Sequence, residues 1–488
     1  MNRKSKRIFS WLLAASLSVL WSFNAFARPA WPADTGILAE AGIVIDYDSE
    51  TVIFGQKIHL PYAPASITKL LTALVVIENA DLSDTVTFSQ DAVYNVESGS
   101  GNKYNLETGD QLSVEDCLYL LLLQSSNQAG NALAEHVAGS RAGFVDMMNQ
   151  RIAQLGCKES NFANPSGLND ENQYVSAYDM ARIARAAFSN PKLMEIDSAK
   201  KYTIGPTINN PNGATFPMEH KLLMTEDTSS DLYCKGASAG KTGYTSLAGN
   251  TLVTYASRDG QNLIAVVLKG TQPQYYIDSK ALLEFGFANF QTMNIAQNET
   301  AYTSGENPIT VGENNYSPSD LYLDESGAVT VPKGAEFSDA DKELVTALPE
   351  DHPMGAIAKV QYTYDERQVG SAWLFSREAV AAAESAAQTP PTDSASETPV
   401  SADPQEPGKG FKFEFSKVIL PAAILLAVIG GAALTAYVIR EKKREREDLA
   451  RRRERRRQRL MESGLSEDEF ERLRQQRFGD RPQKRGER

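Results

Sequence analysis

Cysteine and histidine are scarce in this chain, at three and four residues in 488. The cysteines form no C-x-x-C pair, and His59, His136, His220 and His352 show no mutual ligand spacing. Zinc, iron–sulfur and dithiol chemistry therefore have no support, and neither a metal nor a cofactor is expected. An odd count forbids complete pairing of Cys117, Cys157 and Cys234; one disulfide and three buried reduced thiols both stay open. A Walker-type phosphate loop is missing, because Lys235 stands where a glycine is needed ahead of Gly240-Lys241-Thr242. Internal repeats are not apparent. What is present is ordinary for globular material: 42% hydrophobic and 23% charged residues exclude a wholly disordered or wholly membrane-embedded chain. The length exceeds what one hydrophobic core usually serves, so two or more units are expected.

Both ends carry membrane signals. Basic residues from Arg3 to Arg7, an apolar stretch from Ile8 to Trp21 and the small-x-small site Ala25-Phe26-Ala27 read as a signal peptide over residues 1–27. An uncleaved anchor is the other reading, weakened by the shortness of the stretch; either way, the chain beyond Ala27 is expected to be exported. Residues Val418-Ile439 hold no charge and are about as long as a bilayer core requires, so they are expected to form one transmembrane helix. The tail 440–488 is dense in arginine, including Arg451-Arg452-Arg453 and Arg455-Arg456-Arg457, which places it in the cytoplasm and the long middle outside. The net charge of -13 thus hides a basic tail and an acidic exported part. Beside a membrane, anionic lipid headgroups suit that tail better than nucleic acid, and no nucleic-acid partner is expected.

Between these ends the pattern changes twice. Over 32–290 strands alternate with helices. Strands are expected at Ile43 to Tyr47, Thr51 to Phe54, Asn250 to Ala256 and Leu263 to Lys269, the first two joined by a turn at Asp48-Ser49-Glu50. Helices are expected at Ile67 to Asn79, Val114 to Leu123, Ala129 to Ala138, Ala142 to Leu155, Tyr178 to Phe188 and Ser279 to Phe287. Strands at both ends with helices between imply one sheet assembled from distant parts under a helical cluster. Over 293–378 helical periodicity fades into short alternating runs such as Ala356 to Tyr362, as in a small β domain. Residues 379–416, rich in Ala, Ser, Thr, Pro and Glu, read as a flexible linker.

Chemistry concentrates in three short motifs. Ser66 and Lys69 are three apart at the start of a helix, so their side chains share a face. A serine hydroxyl is a weak nucleophile until a neighbour takes its proton, and a lysine can do so when burial or a second cation lowers its pKa. Alone, S-x-x-K is cheap, and a solvated first turn is its default reading. Here Ser125-Ser126-Asn127 comes where an apolar helix should end, and Lys241-Thr242-Gly243 comes much later, ahead of apparent strand. Three motifs in this order resemble the penicillin-binding protein and serine β-lactamase superfamily.

Longer stretches narrow the likeness. Pro64 to Lys69, Gln128 to Ala134, Asn164 to Leu168, Ser176 to Ala181, Gly240 to Thr245 and Ala281 to Phe287 resemble the low-molecular-mass penicillin-binding proteins of the serine D-alanyl-D-alanine carboxypeptidase family, over about residues 35 to 290. The resemblance implies an α+β chain. A serine β-lactamase/transpeptidase-like domain, with an antiparallel sheet and a helical cluster, would precede a small all-β domain, a linker and one membrane helix. It implies that Ser66 attacks the penultimate D-alanine carbonyl of a peptidoglycan stem peptide, with Lys69 taking its proton. Ser125 would relay a proton to the leaving D-alanine, Asn127 hold the substrate amide, and Lys241, Thr242 and Gly243 bind its terminal carboxylate. The backbone N–H groups of Ser66 and Tyr244 would form the oxyanion hole, and β-lactams would be covalent inhibitors. Three positions depart from the family pattern: Ser126 where glycine or another small residue is usual, Ser166 where histidine is usual, and Tyr275 near a common arginine.

Two rivals share the motifs. A class A β-lactamase would need a glutamate to activate deacylating water, and no E-x-x-L-N segment comes after Ser125. A β-lactam sensor or wall-binding protein that acylates without turnover would need an output domain, which the short tail does not resemble. Gly236-Ala237-Ser238-Ala239-Gly240 matches the G-x-S-x-G elbow, yet strand-like sequence succeeds it where that motif needs a helix.

Overall fold

Ala41–Asp46 is buried along its whole length, and its side chains divide between two cores. Ile43 and Ile45 point into one, Val44 into the other, as the two-residue period of a strand requires. This strand, β1, pairs antiparallel with β2 (Val52–Gln56), and Asp46 ties down the intervening turn by accepting the N–H groups of Asp48 (3.1 Å) and Ser49 (2.8 Å). In the computed structural model the described residues are 28–96, 100–349 and 352–387. The expected signal peptide (1–27), membrane span (418–439) and basic tail (440–488) lie outside them. Among the described residues, no helix is long and apolar enough to cross a membrane.

The other three strands of the sheet come from far along the chain: β3 (Ala237–Thr245), β4 (Gly249–Arg258) and β5 (Gln261–Gly270), in the order β2-β1-β5-β4-β3, all antiparallel. One face carries the larger core, built with α1 (Lys69–Asn79), α2 (Val114–Leu123), α3 (Asn127–Ala138), α4 (Arg141–Gln154), α5 (Ala177–Ser189) and α6 (Pro191–Asp197). Serines accept N-terminal N–H groups at four of these: Ser113, Ser126, Ser140 and Ser176. Such caps contribute on the order of 1 kcal/mol each. The opposite face is covered by α7 (Gln274–Asn289), whose Leu282, Leu283 and Phe287 meet Val44, Leu263 and Val267. The α+β sheet with a helical cluster matches the expectation. Cys117, Cys157 and Cys234 are free and buried.

A second antiparallel sheet begins directly after α7. Its strands run Phe290–Asn294, Ala328–Pro332, Arg367–Ser376, Ala356–Tyr364 and Asp341–Val345, with Leu321–Leu323 also pairing with Arg367–Ser376. The chain then forms the helix Arg377–Ala387, so the first part of the stretch read as flexible linker is helical. Alanine has the highest helix propensity, and Ser376 Oγ accepts the Ala379 N–H at 3.1 Å; both outweigh the compositional argument. The rest of that stretch, from 388, lies outside the described residues.

The two sheets are joined by a shared carboxylate and by the first described residues. Asp46 Oδ2 accepts the Thr292 hydroxyl at 2.5 Å, and Thr330 lies within 3.0 Å of that hydroxyl and 2.8 Å of Ser49 Oγ. Trp31 donates its indole N–H to the Ile53 carbonyl (2.9 Å) while its ring meets Phe290 (4.8 Å between centroids) and Tyr364 (6.2 Å). Arg28 pairs with Asp341. Asp46→Ala strips these half-buried donors of their buried acceptor and is expected to cost about 1–3 kcal/mol. A lowered urea midpoint at unchanged slope checks this; an unchanged midpoint contradicts it.

Candidate active site

Ser66 does not open an α-helix directly. It lies in a 3-10 turn, Ala65–Thr68, and the α-helix begins at Lys69. In a 3-10 turn residues three apart eclipse, so Lys69 stands over Ser66 with Nζ 2.9 Å from Oγ. Two glycines enforce the turn. Gly167, at φ +85, passes so close that a Cβ there would sit 1.9 Å from the Ala65 carbonyl oxygen. Gly243, on β3, would place a Cβ 2.9 Å from Ser66 N and 2.4 Å from Thr251 Oγ1. Thr251 in turn donates to the Pro64 carbonyl at 2.8 Å. Squeezed between these neighbours, Ala65 takes φ +52, a conformation that a side chain disfavours.

Lys69 is fully buried, and its Nζ also donates to Asn127 Oδ1 (2.8 Å) and to the Ser166 carbonyl (2.5 Å). Burial first, then the positive charges of Lys241 and Lys103, hold its pKa well below the usual lysine value. A neutral amine has two N–H donors and one lone pair. Asn127 and Ser166 take the two donors, which leaves the lone pair facing the Ser66 hydroxyl.

Ser125 occupies the short loop between α2 and α3, half-buried at φ +58. It lies between two anchored neighbours: Gln124, whose carbonyl accepts from Lys103 Nζ at 2.8 Å, and the cap of α3. That cap explains the departure at Ser126, whose Oγ accepts the Ala129 N–H and so fixes the helix start that presents Asn127. Ser166 contributes its carbonyl, which any residue supplies; its own Oγ bonds to Asn164 Oδ1 at 3.0 Å within the loop. Tyr275, at 5% exposure, packs on Tyr276 with centroids 4.2 Å apart in the second core and carries no charge toward the cleft.

β3 closes the other side of Ser66. Lys241 is buried, with Nζ donating to the Thr242 carbonyl at 3.0 Å; Thr242 is half-buried, and Tyr244 stands exposed one residue past Gly243. Burial lowers Lys241 to about 8; Glu219 and Asp197 oppose that shift, while Lys103 adds to it. The charge of Lys241 in turn contributes to the lowering at Lys69. Ser66, Lys69, Asn127, Lys241 and Gly243 are therefore brought together, with Ser125, Thr242 and Tyr244 adjoining them along the same loops and strand. Sequence reasoning missed the Ser166 carbonyl, Lys103, Glu219 and the buried Asp197. Main-chain acceptors leave no mark in side-chain identity, and nothing in the spacing of the others distinguishes them from surface charges.

The decoys resolve simply. Ser238 lies within β3, not on an elbow before a helix. His59 and His136 pair with Glu159 and Asp84 at the protein's outer face. Among the described residues no three His, Cys, Asp or Glu side chains are grouped to hold a metal ion.

Comparison with known proteins gives a consistent answer. The peptidase S11 family model, described as D-alanyl-D-alanine carboxypeptidase, matches residues 28–272. The D-alanyl-D-alanine carboxypeptidase DacA of Haemophilus influenzae is 32% identical over 384 residues, covering 74% of this chain and 91% of that protein. DacF of Bacillus subtilis is 28% identical over 347 residues, covering 70% and 85%. Among solved structures, penicillin-binding protein 5 from Haemophilus influenzae superposes with a TM-score of 0.56 at 30% identity, covering 72% of this chain and 98% of that one. Penicillin-binding protein 6B from Escherichia coli gives 0.52 at 26% identity, covering 71% and 97%. The chain belongs to the serine D-alanyl-D-alanine carboxypeptidase family.

Proposed function

We propose that this protein removes the terminal D-alanine from peptidoglycan stem peptides through an acyl-enzyme on Ser66, outside the membrane to which residues 418–439 tether it. The observation that carries this is the buried Lys69 amine, 2.9 Å from the Ser66 hydroxyl with two carbonyl-type acceptors occupying its donors.

The substrate ends in a carboxylate one residue beyond the scissile bond. Lys241 and Thr242, on the strand edge beside Ser66, suit that carboxylate, and Gly243 lets the strand approach closely enough to place it. Ser66 Oγ attacks the penultimate carbonyl carbon as Lys69 Nζ takes its proton. The developing oxyanion falls between the N–H groups of Ser66 and Tyr244; one such donor is typically worth about 3–4 kcal/mol in the transition state. Ser125, supported by Lys241, passes its proton to the departing amine and recovers one from the Lys69 ammonium, so the proton taken from Ser66 ends on the free D-alanine that leaves. Asn127 has its Oδ1 on Lys69 and its amide N–H groups available for the substrate backbone. Water then cleaves the ester and restores Ser66. A β-lactam presents the same carboxylate and a strained amide, so it acylates Ser66 but yields no leaving group that departs from the cleft. The second sheet, with no catalytic grouping of its own, serves as a spacer.

Membranes carrying the full chain should release D-alanine from a Lys-D-Ala-D-Ala peptide and bind fluorescent penicillin, with both activities staying in the pellet after a high-salt wash. Penicillin hydrolysis without D-alanine release would favour a β-lactamase, and labelling without release a sensor. Activity in the supernatant would remove the tether.

A further inference from the structure

Two buried side chains beside the cleft take no part in that chemistry. Asp197 ends α6 and His220 precedes the short helix Lys221–Met224; each is only 1% exposed. Both meet the residue ahead of Lys241. Asp197 Oδ2 accepts the Gly240 N–H at 2.7 Å, and His220 packs on the same glycine with Nε2 3.2 Å from the Val253 carbonyl and 3.1 Å from Thr254 Oγ1. Asp197 Oδ1 is buried and receives no hydrogen bond among the described residues. A buried carboxylate oxygen without a donor is costly unless a nearby charge compensates.

The charged and titratable groups facing Lys241 are Glu219, Asp197, Lys103, Lys69 and His220. Glu219 is already paired with Lys103 at the exposed rim. Lys69 is a base whose pKa burial and Lys241 lower, and it brings no negative charge to Lys241. His220 is neutral, because burial lowers its pKa to about 3. Asp197 is the one fully buried acid in this set.

We propose that Asp197 is a positioning residue for Lys241: one carboxylate oxygen locks the strand at Gly240, while the buried negative charge of the group keeps the Lys241 side chain an ammonium ready for the substrate's carboxylate. This rests on the reading of Lys241 as the partner of that carboxylate. Burial, opposed by the Gly240 N–H and by Lys241, raises Asp197 to about 7. Below that pH the carboxyl is protonated and its charge is absent; above it the charge is present and supports Lys241.

Asp197→Asn keeps the shape and an oxygen for the Gly240 N–H but removes the charge. Its kcat/KM on an acyl-D-Ala-D-Ala peptide should match wild type at pH 6. At pH 8.5 it should fall about tenfold, with the alkaline limb moved down by roughly one pH unit. An equal loss at every pH would reduce Asp197 to a structural tie, and a profile superimposable on wild type would show Lys241 to be independent of it; either overturns the proposal. Should the variant not fold, the wild type answers by NMR of ε-carbon-labelled lysine. Lys241 should show an extra step near pH 7 as Asp197 ionises, and a single-step titration counts against the proposal. Penicillin labelling at pH 6 keeps the two questions apart. Labelling with an unshifted profile sinks only Asp197's role, whereas no labelling of wild type sinks the reading of the site itself.

Discussion

Ser66→Ala should abolish covalent labelling by fluorescent penicillin and reduce D-alanine release by at least about 10^4-fold, since no acyl-enzyme can form. Ser66 Oγ meets Lys69 and is otherwise half-open to the cleft, so its loss leaves the packing around the 3-10 turn in place. The thermal midpoint should therefore stay within a degree or two, which separates lost chemistry from lost fold. Mass spectrometry of wild type after penicillin should place the adduct on the peptide holding Ser66. An adduct elsewhere, or a labelled alanine variant, would refute the assignment of the nucleophile.

The second large effect concerns its base. Lys69→Ala should slow acylation by about 10^2–10^4-fold, the usual range for a positioned general base. Lys69→Arg is the sharper test. It keeps a cation on a slightly longer side chain but cannot give up its proton at accessible pH, so it should be as slow as the alanine variant. A variant that acylates at near-normal rate with arginine would show that position 69 acts through charge alone. The pH profile carries the same logic. A base works when deprotonated, and burial together with Lys241 and Lys103 depresses Lys69 well below the ordinary lysine range, so activity rises with pH through that lowered pKa. Lys241 works when protonated, and its pKa of about 8 sets the limb on which activity falls again. kcat/KM should trace a bell with its alkaline arm near that value. Activity still climbing at pH 10 would contradict the charge state assigned to Lys241.

Most of the architecture is readable from periodicity. The apolar runs of Ile43 to Tyr47 and Leu263 to Lys269, and the helical runs of α2, α4 and α5, appear as elements within a few residues of their expected bounds. The motif residues are readable too, because the chemistry proposed for them lies in side chains that the sequence names. What escapes has a common cause. The 3-10 turn at Ser66 is imposed by Gly167 and Gly243, residues about a hundred or more positions away, and no local pattern encodes it. The lysine's third partner is a carbonyl, which is why a serine at 166 is tolerated without consequence for Lys69. Asp197 acts through burial that only the assembled sheet creates. The helix Arg377–Ala387 hides in a composition typical of linkers, and only its run of alanines betrays it.

The joint at Trp31 constrains how the enzyme can reach its target. The indole is fixed at three points, to Ile53, Phe290 and Tyr364, and the carboxylate of Asp46 adds threonine clasps from the second sheet. Two bodies sharing a side chain on each side do not swing freely. The distance from the cleft to the point where the chain leaves the second sheet is therefore a fixed length, like a rigid mast. Any adjustment to the height or angle of a stem peptide has to come from elsewhere in the chain or from the substrate itself.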